Sequence, residues 1–287
     1  MSTGLKTGFI GLGAMGHSMA GHLHAKGLLA VVGNRTASKA QDFAIDKGVM
    51  AATNAWDFAD CDVVMLCVPM DADVLGNVEA LAEILQAGSV VVDHSTVSVD
   101  TARAARDHLA RHGIGFLDAP VSGGVEGAKN GKLSIMVGGD AGDLEKARPA
   151  LEAYAARITH MGACGAGQAT KAVNQVLVAG INEAVCEGLA LGVALGLEAD
   201  KLLPTLMSGA AANWFLDKRG ATMLRDEFVP GFKCAHLLKD LRIVREMARA
   251  AGINATVIEQ SLADYSELVE RGLGDADTSA LITLKRG

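Results

Sequence analysis

Up to about His160 the sequence alternates short, nearly all-apolar runs with amphipathic helical segments, and past Gly165 the runs cease. The runs at 8–10, 29–33, 62–68, 89–92, 115–118 and 134–137 have strand length and suit strands covered on both faces. Helical patterns at 14–26, 38–47, 73–86 and 100–111 lie between them. Strands separated by helices require right-handed crossovers, which build a mostly parallel, doubly wound sheet. From Gly165 onward the sequence is Ala-, Leu- and Val-rich and helical, interrupted by "GLEAD", "SGAAAN", "FVPGF" and "AAGINA". The change of period predicts an α/β domain over 1–163 and an all-α domain over 164–287. A long helix starting near Gln168 is expected to join them, with Lys171 at the cleft where ligands are favoured.

A chain of 287 residues, half of them hydrophobic, can fill two cores. The net charge of -7 and the absence of a long Lys or Arg run argue against a nucleic-acid surface. An anionic ligand must then be held by a local positive site. Five cysteines without a CxxC pair suit reduced thiols in a cytoplasm. The N-terminal "MSTGLKTGFIGLG" lacks the regions of a secretory signal. The apolar stretch after Lys171 is broken by Asn174, Gln175, Asn182, Glu183 and Glu187, so it does not read as a membrane span. The expectation is a soluble, cytoplasmic protein.

"TGFIGLGAMG" sets Gly11, Gly13 and Gly16 in GxGxxG spacing, after a candidate strand and at the opening of a candidate helix. That context makes it a Rossmann-type dinucleotide fingerprint: a tight turn at Gly11, pyrophosphate approach at Gly13, close helix packing at Gly16. The second strand ends in "NRT", where an NAD enzyme usually carries a ribose-binding carboxylate. Asn34, Arg35 and Thr36 instead suit a 2′-phosphate, which favours NADP(H) while leaving NAD(H) possible. An exposed turn with an incidental arginine reads the same way. Val68 and Pro69 end a strand at the sheet edge crossed by the cofactor, and Thr96 in "VVDHSTVS" can bond the nicotinamide ribose or carboxamide. His94 in that segment reads as packing or surface, and the scattered histidines support no metal site.

"LDAPVSGGVEGA" offers Ser122, Gly123 and Gly124, a loop able to surround a carboxylate or simply to turn. In "GQATKAVNQVLVAGINEAV" one helix face collects Lys171, Asn174, Gln175, Val178 and Asn182, amides beside a lysine in an otherwise apolar helix. Burying an ammonium is costly unless it is paired or used, and a surface lysine at a frayed helix start is the simpler alternative. Lys239 followed by Asp240 fits a solvated pair as well as a site, and Trp214 with Phe215 fits a pocket wall or a core.

"GFIGLGAMG", "NRT", "DHSTVS", "DAPVSGG", "GAGQATKAVNQ", "PGF" and "LLKDL" stand in the order found in the β-hydroxyacid dehydrogenases, and the chain resembles that family over almost its whole length. The resemblance implies cofactor positions at Gly11, Leu12, Gly13, Ala14, Met15, Gly16, Arg35, Val68, Pro69, Thr96 and Lys239, with Phe232 near the nicotinamide. It implies a substrate-carboxylate loop at Ser122, Gly123 and Gly124 and a catalytic lysine at Lys171. Where the family often has Asn four residues after that lysine, this chain has Gln175, with Asn174 at the third, so either amide can orient the substrate. The expected reaction is hydride transfer between the cofactor and a small β-hydroxy acid or semialdehyde carboxylate. Lys171 would act as general acid and base, its amine titrating nearer neutrality than a free lysine. The rivals are an imine reductase-like NADPH enzyme, against which Lys171 counts, and a cofactor-binding regulator without catalysis. The apolar second half further suggests a homodimer or homotetramer.

Overall fold

The computed structural model describes residues 4–286. The chain divides into two compact units, Met1–Lys171 and Ala172–Gly287. The first unit contains the strands β1 (Thr7–Ile10), β2 (Leu29–Gly33), β3 (Met50–Ala51), β4 (Val63–Leu66), β5 (Val90–Asp93), β6 (Gly115–Asp118), β7 (Val121–Ser122), β8 (Leu133–Gly138) and β9 (Ala155–Gly162). Its helices are α1 (Gly16–Ala25), α2 (Ala37–Lys47), α3 (Asp71–Ala82), α4 (Val99–Ala110), α5 (Gly124–Lys129) and α6 (Ala141–Leu151).

The sheet order is β3-β2-β1-β4-β5-β6-β8-β7, with β9 paired to β8. The pairings from β3 through β6 are all parallel, and β8 runs antiparallel to both β6 and β7. The expected mostly parallel, doubly wound sheet is therefore present. Side chains alternate across each strand, so Val63, Met65, Val90 and Val92 enter one core with Met19 and Leu23 of α1. Val64, Leu66 and Val91 enter the opposite core with Val74, Val78 and Leu81 of α3 and Leu109 of α4. Strands buried on both faces explain the unbroken apolar runs. Chain order reverses at β1, with β2 on one side and β4 on the other, so a crevice opens at the carboxyl ends of β1 and β4.

Three strands differ from the sequence expectation. Strands β3 and β7 have two residues each, too few to carry a period. The eight residues of β9 are mostly exposed or half-buried, and its "RITH" mixes polar and apolar residues as an edge position allows.

Helix α7 (Ala166–Ala194) begins in the first unit and continues into the second over 29 residues. The second unit adds α8 (Ala199–Met207), α9 (Trp214–Leu224), α10 (Cys234–Ala250), α11 (Thr256–Glu270) and α12 (Ile282–Lys285). Its core joins Ala179, Cys186 and Leu189 of α7 to Leu237 and Leu241 of α10 and to Leu262 and Tyr265 of α11. Asn182, expected on a ligand-facing stripe, donates to the Tyr265 hydroxyl at 2.9 Å inside this core. The polar face of α7 therefore changes role along its length. Helix α7 is long and apolar enough to cross a membrane by composition alone, with 39% of its most apolar window buried inside the protein.

Candidate active site

The turn from β1 into α1 is shaped by its glycines in two ways. Gly11 has φ +105°, and a Cβ there would strike the Cys67 carbonyl; a Cβ on Gly16 would strike the Gly11 carbonyl. Both are required by the chain's own packing. A Cβ on Gly13 would meet nothing within 4 Å, so nothing in the protein itself demands glycine there. Open space over Gly13, beside the start of α1, fits the approach of a dinucleotide pyrophosphate. Leu12 is buried, whereas Ala14 is exposed and Met15 half-buried.

Asn34 holds this turn to the second strand. Its Oδ1 accepts from the Leu12 N–H at 2.9 Å and its Nδ2 donates to the Thr36 carbonyl at 3.0 Å. Arg35 and Thr36 are exposed, and the Arg35 guanidinium lies 3.3 Å from Asp73 at the start of α3. The arginine side chain is 80% exposed, so that pair is weak and open to competition. Val68 and Pro69 follow β4, with the Val68 N–H donating to Ser95 Oγ at 3.0 Å. Thr96, half-buried, is the next residue after Ser95. The cofactor candidates of the first unit thus lie in two bonded groups, one around Leu12 and Asn34 and one around Ser95.

Lys171 is 9% exposed, in the second turn of α7, and its Nζ donates to the Val121 carbonyl at 2.8 Å. Val121 immediately precedes Ser122, Gly123 and Gly124, so the lysine and the loop expected to hold a carboxylate are neighbours. Gly123 and Gly124 have φ of +130° and +62°, which accounts for a double glycine where other residues would be strained. Ser122 lies in β7, paired with Ser134 of β8, so it belongs to a short strand and not to a free turn.

In the second unit the two candidate amides are not equivalent. Gln175 is 1% exposed; its Oε1 accepts from Asn174 Nδ2 at 2.8 Å and its Nε2 donates to Asp240 Oδ2 at 2.7 Å. Asp240 also pairs with Lys239 at 3.0 Å and is itself buried, so the Lys239–Asp240 pair is not a solvated one. Phe232 is half-buried against the helical core. Phe215 is buried in that core, while Trp214 is exposed with Arg219 stacked over its ring at 5.6 Å.

Several residues that organise these groups are illegible in the sequence because their partners lie far along the chain. Asp118 accepts from the Gly165 and Gln168 N–H groups and so caps the start of α7. His94 is buried, with Nδ1 2.7 Å from the Ala119 carbonyl and Nε2 2.8 Å from the Tyr154 hydroxyl. Burial pushes its pKa down to about 4, so the ring is neutral, donates from Nδ1 and accepts from Tyr154. Asp277 receives the N–H groups of Gly231, Phe232 and Ser279 and pairs with Arg219. It thereby sets the turn that carries Phe232. The cysteines are free thiols, and burial pushes those of Cys61, Cys67, Cys164 and Cys234 up to about 12, unsuited to nucleophilic work. Among the described residues no cluster of His, Cys, Asp or Glu could hold a metal.

Residues 6–162 match the family described as the NAD binding domain of 6-phosphogluconate dehydrogenase. Residues 165–285 match the NAD-binding family of NADP-dependent 3-hydroxyisobutyrate dehydrogenase. The NAD-dependent L-serine dehydrogenase of Pseudomonas aeruginosa is 36% identical, covering 95% of this chain and 95% of its own. The 2-hydroxy-3-oxopropionate reductase of Escherichia coli is 34% identical, covering 97% and 96% respectively. The structure of Mycobacterium tuberculosis 3-hydroxyisobutyrate dehydrogenase with L-serine superposes with a TM-score of 0.88 at 31% identity, over 99% of this chain and 100% of that one.

Proposed function

The chain belongs to the β-hydroxyacid dehydrogenase family, and on that premise we propose that it transfers a hydride reversibly between NADP(H) and a small β-hydroxy acid or its semialdehyde carboxylate. Membership makes it a nicotinamide-dependent oxidoreductase. Preference for NADP(H), catalysis by Lys171 and the substrate class are what we infer further.

The observation that carries this reading is the Lys171–Val121 bond, which sets a nearly buried amine beside the Ser122–Gly123–Gly124 loop. A substrate carboxylate bound by the Ser122 hydroxyl and the two glycine N–H groups brings its β-carbon and oxygen toward that amine. The nicotinamide, when bound, supplies the hydride acceptor in oxidation and the donor in reduction. In oxidation the neutral Lys171 amine takes the hydroxyl proton as the carbinol carbon loses its hydride and becomes a carbonyl. In reduction the ammonium returns that proton to the oxygen. Asn174 and Gln175 are bonded to each other, and Gln175 in turn to Asp240, so the two amides form one linked pair.

On the cofactor side, the Gly13 opening and the start of α1 suit the pyrophosphate. Arg35 and Thr36, with Asn34 in place of a carboxylate, support 2′-phosphate binding. Phe232 and Lys239 are proposed as cofactor residues on the family resemblance alone. Val173, Leu177 and Ile181 are exposed four residues apart along α7, which supports a homodimer or homotetramer. Five free thiols suit a cytoplasmic setting.

The test is a screen of glyoxylate, succinic, tartronate and methylmalonate semialdehydes with NADPH and NADH, together with 3-hydroxy acids in the reverse direction. Turnover on at least one carboxylate substrate is expected, faster with NADPH. Dinucleotide binding with no turnover on any of them would favour a non-catalytic cofactor-binding protein.

A further inference from the structure

Gln168 lies in the first turn of α7, three residues before Lys171, and is 2% exposed. Residues three apart on a helix share a side, so the two side chains leave α7 in related directions. The Gln168 carboxamide spends both ends on one short segment. Its Nε2 donates to the Ser95 carbonyl at 2.8 Å and its Oε1 accepts from the Val97 N–H at 3.3 Å. Those groups flank Thr96, the residue proposed to meet the nicotinamide ribose or carboxamide. Ser95 in turn accepts from the Val68 N–H through its hydroxyl and donates its own N–H to Asp93 at 2.9 Å. One amide side chain therefore spans from the base of the catalytic helix to the loop ends at β4 and β5.

The helix start is itself seated closely on the strand ends. The Asp118 carboxylate binds the Gly165 N–H at 2.8 Å and the Gln168 N–H at 2.9 Å. A Cβ on Gly167 would strike the Asp118 and Met136 carbonyls, so no larger residue fits at that contact. The backbone of Gln168 is anchored to β6 while its side chain anchors the loop after β5.

From this geometry we propose that Gln168 is a positioning residue that sets the distance between the acid/base Lys171 and the nicotinamide edge at Thr96. It touches neither substrate nor cofactor; it acts through Ser95, Thr96 and Val97. The inference rests on the roles assigned above to Lys171 and Thr96. The hydride leaves the carbinol carbon and the proton leaves the oxygen it bears, so acceptor and base must be placed together, and a displacement of about 1 Å costs on the order of a hundredfold in rate.

Gln168→Glu keeps the shape and the acceptor for Val97 N–H and, when ionised, has no donor for the Ser95 carbonyl, whereas Gln168→Met removes both bonds at any pH. Its folding is checked by circular dichroism and thermal melting, and Gln168→Met, uncharged and of similar length, carries the same measurements should the carboxylate prevent folding. The measurements are kcat, KM and the primary isotope effect on kcat with NADPH deuterated at the transferred position, beside Lys171→Ala. The expected result is kcat lower by about 10- to 100-fold, a KM changed far less, and a larger isotope effect as hydride transfer becomes limiting. If turnover falls only with the folded fraction and the isotope effect stays at the wild-type value, Gln168 is merely structural and the proposal is overturned. If Lys171→Ala turns over like wild type, the role of Lys171 fails first and the proposal fails with it. A Lys171→Ala enzyme without activity beside a Gln168 variant of wild-type kinetics overturns the proposal alone.

Discussion

Lys171, nearly buried and bonded to a backbone carbonyl beside the Ser122 loop, is the residue we propose as the general acid and base. Lys171→Ala is expected to lower kcat by at least about a hundredfold with NADPH binding, followed by nicotinamide fluorescence, retained. Near-normal turnover would remove the lysine from the mechanism. Arg35 is proposed to act on the cofactor, through its 2′-phosphate. Arg35→Asp puts a carboxylate beside the 2′-phosphate and should cut the NADPH/NADH ratio of kcat/KM by about tenfold or more. Asp73→Asn should raise that ratio, because it frees the guanidinium from its 3.3 Å partner. An exposed pair is worth about 0.2–1 kcal/mol, so the rise stays within about fivefold. An unchanged ratio in both variants would place phosphate recognition elsewhere. Lys171 and Arg35 are candidates the sequence alone could raise because each stands against its surroundings, one in an apolar helix and one where a carboxylate is usual.

The elements bearing these residues are pinned by buried polar groups that only pairing across the fold reveals. His94, at the end of β5, holds the Ala119 carbonyl just after β6 and accepts from Tyr154, which follows α6. Its pKa of about 4 lies below the ordinary 6.5, so the folded protein resists a proton that the unfolded chain accepts. This contribution to stability is complete above pH 6.5 and is lost as pH falls toward 4, by about 3 kcal/mol. Urea unfolding across that window should show the slope in the wild type and a shallower one in His94→Asn; equal slopes would acquit His94. In the second unit, Asp277 fixes the turn between α9 and α10 through the Gly231 and Phe232 N–H groups and Arg219. Asp277→Ala strands that partly buried guanidinium and should destabilise the protein by about 3–5 kcal/mol, measured by denaturant unfolding. A loss below about 1 kcal/mol would mean the turn holds without it. Sequence periodicity could not reach these pins, nor the edge strand β9, since a strand half open to solvent loses the apolar run that marks β4 and β5.

At the scale of the whole molecule, the exposed Val173, Leu177 and Ile181 on α7 form the stripe we propose for subunit association. Leu177→Asp is expected to lower the mass measured by sedimentation if that stripe is covered by a second copy; a wild-type protein that sediments as a monomer would refute the assembly. The sequence by itself determined the two-part architecture, the parallel sheet, the dinucleotide turn and the family. All of these follow from local periods and ordered motifs, which depend on near neighbours and on glycine's freedom at a few φ angles. Tertiary structure alone decided that Gln175 is committed to Asp240, that Asn182 belongs to the core, and that Gln168 grips the backbone around Thr96. The bond from Gln168 to Ser95 spans 73 residues and that from Gly165 to Asp118 spans 47. Partners so distant are chosen by strand order and by the seating of α7 on the strand ends, and no period along the chain encodes that choice.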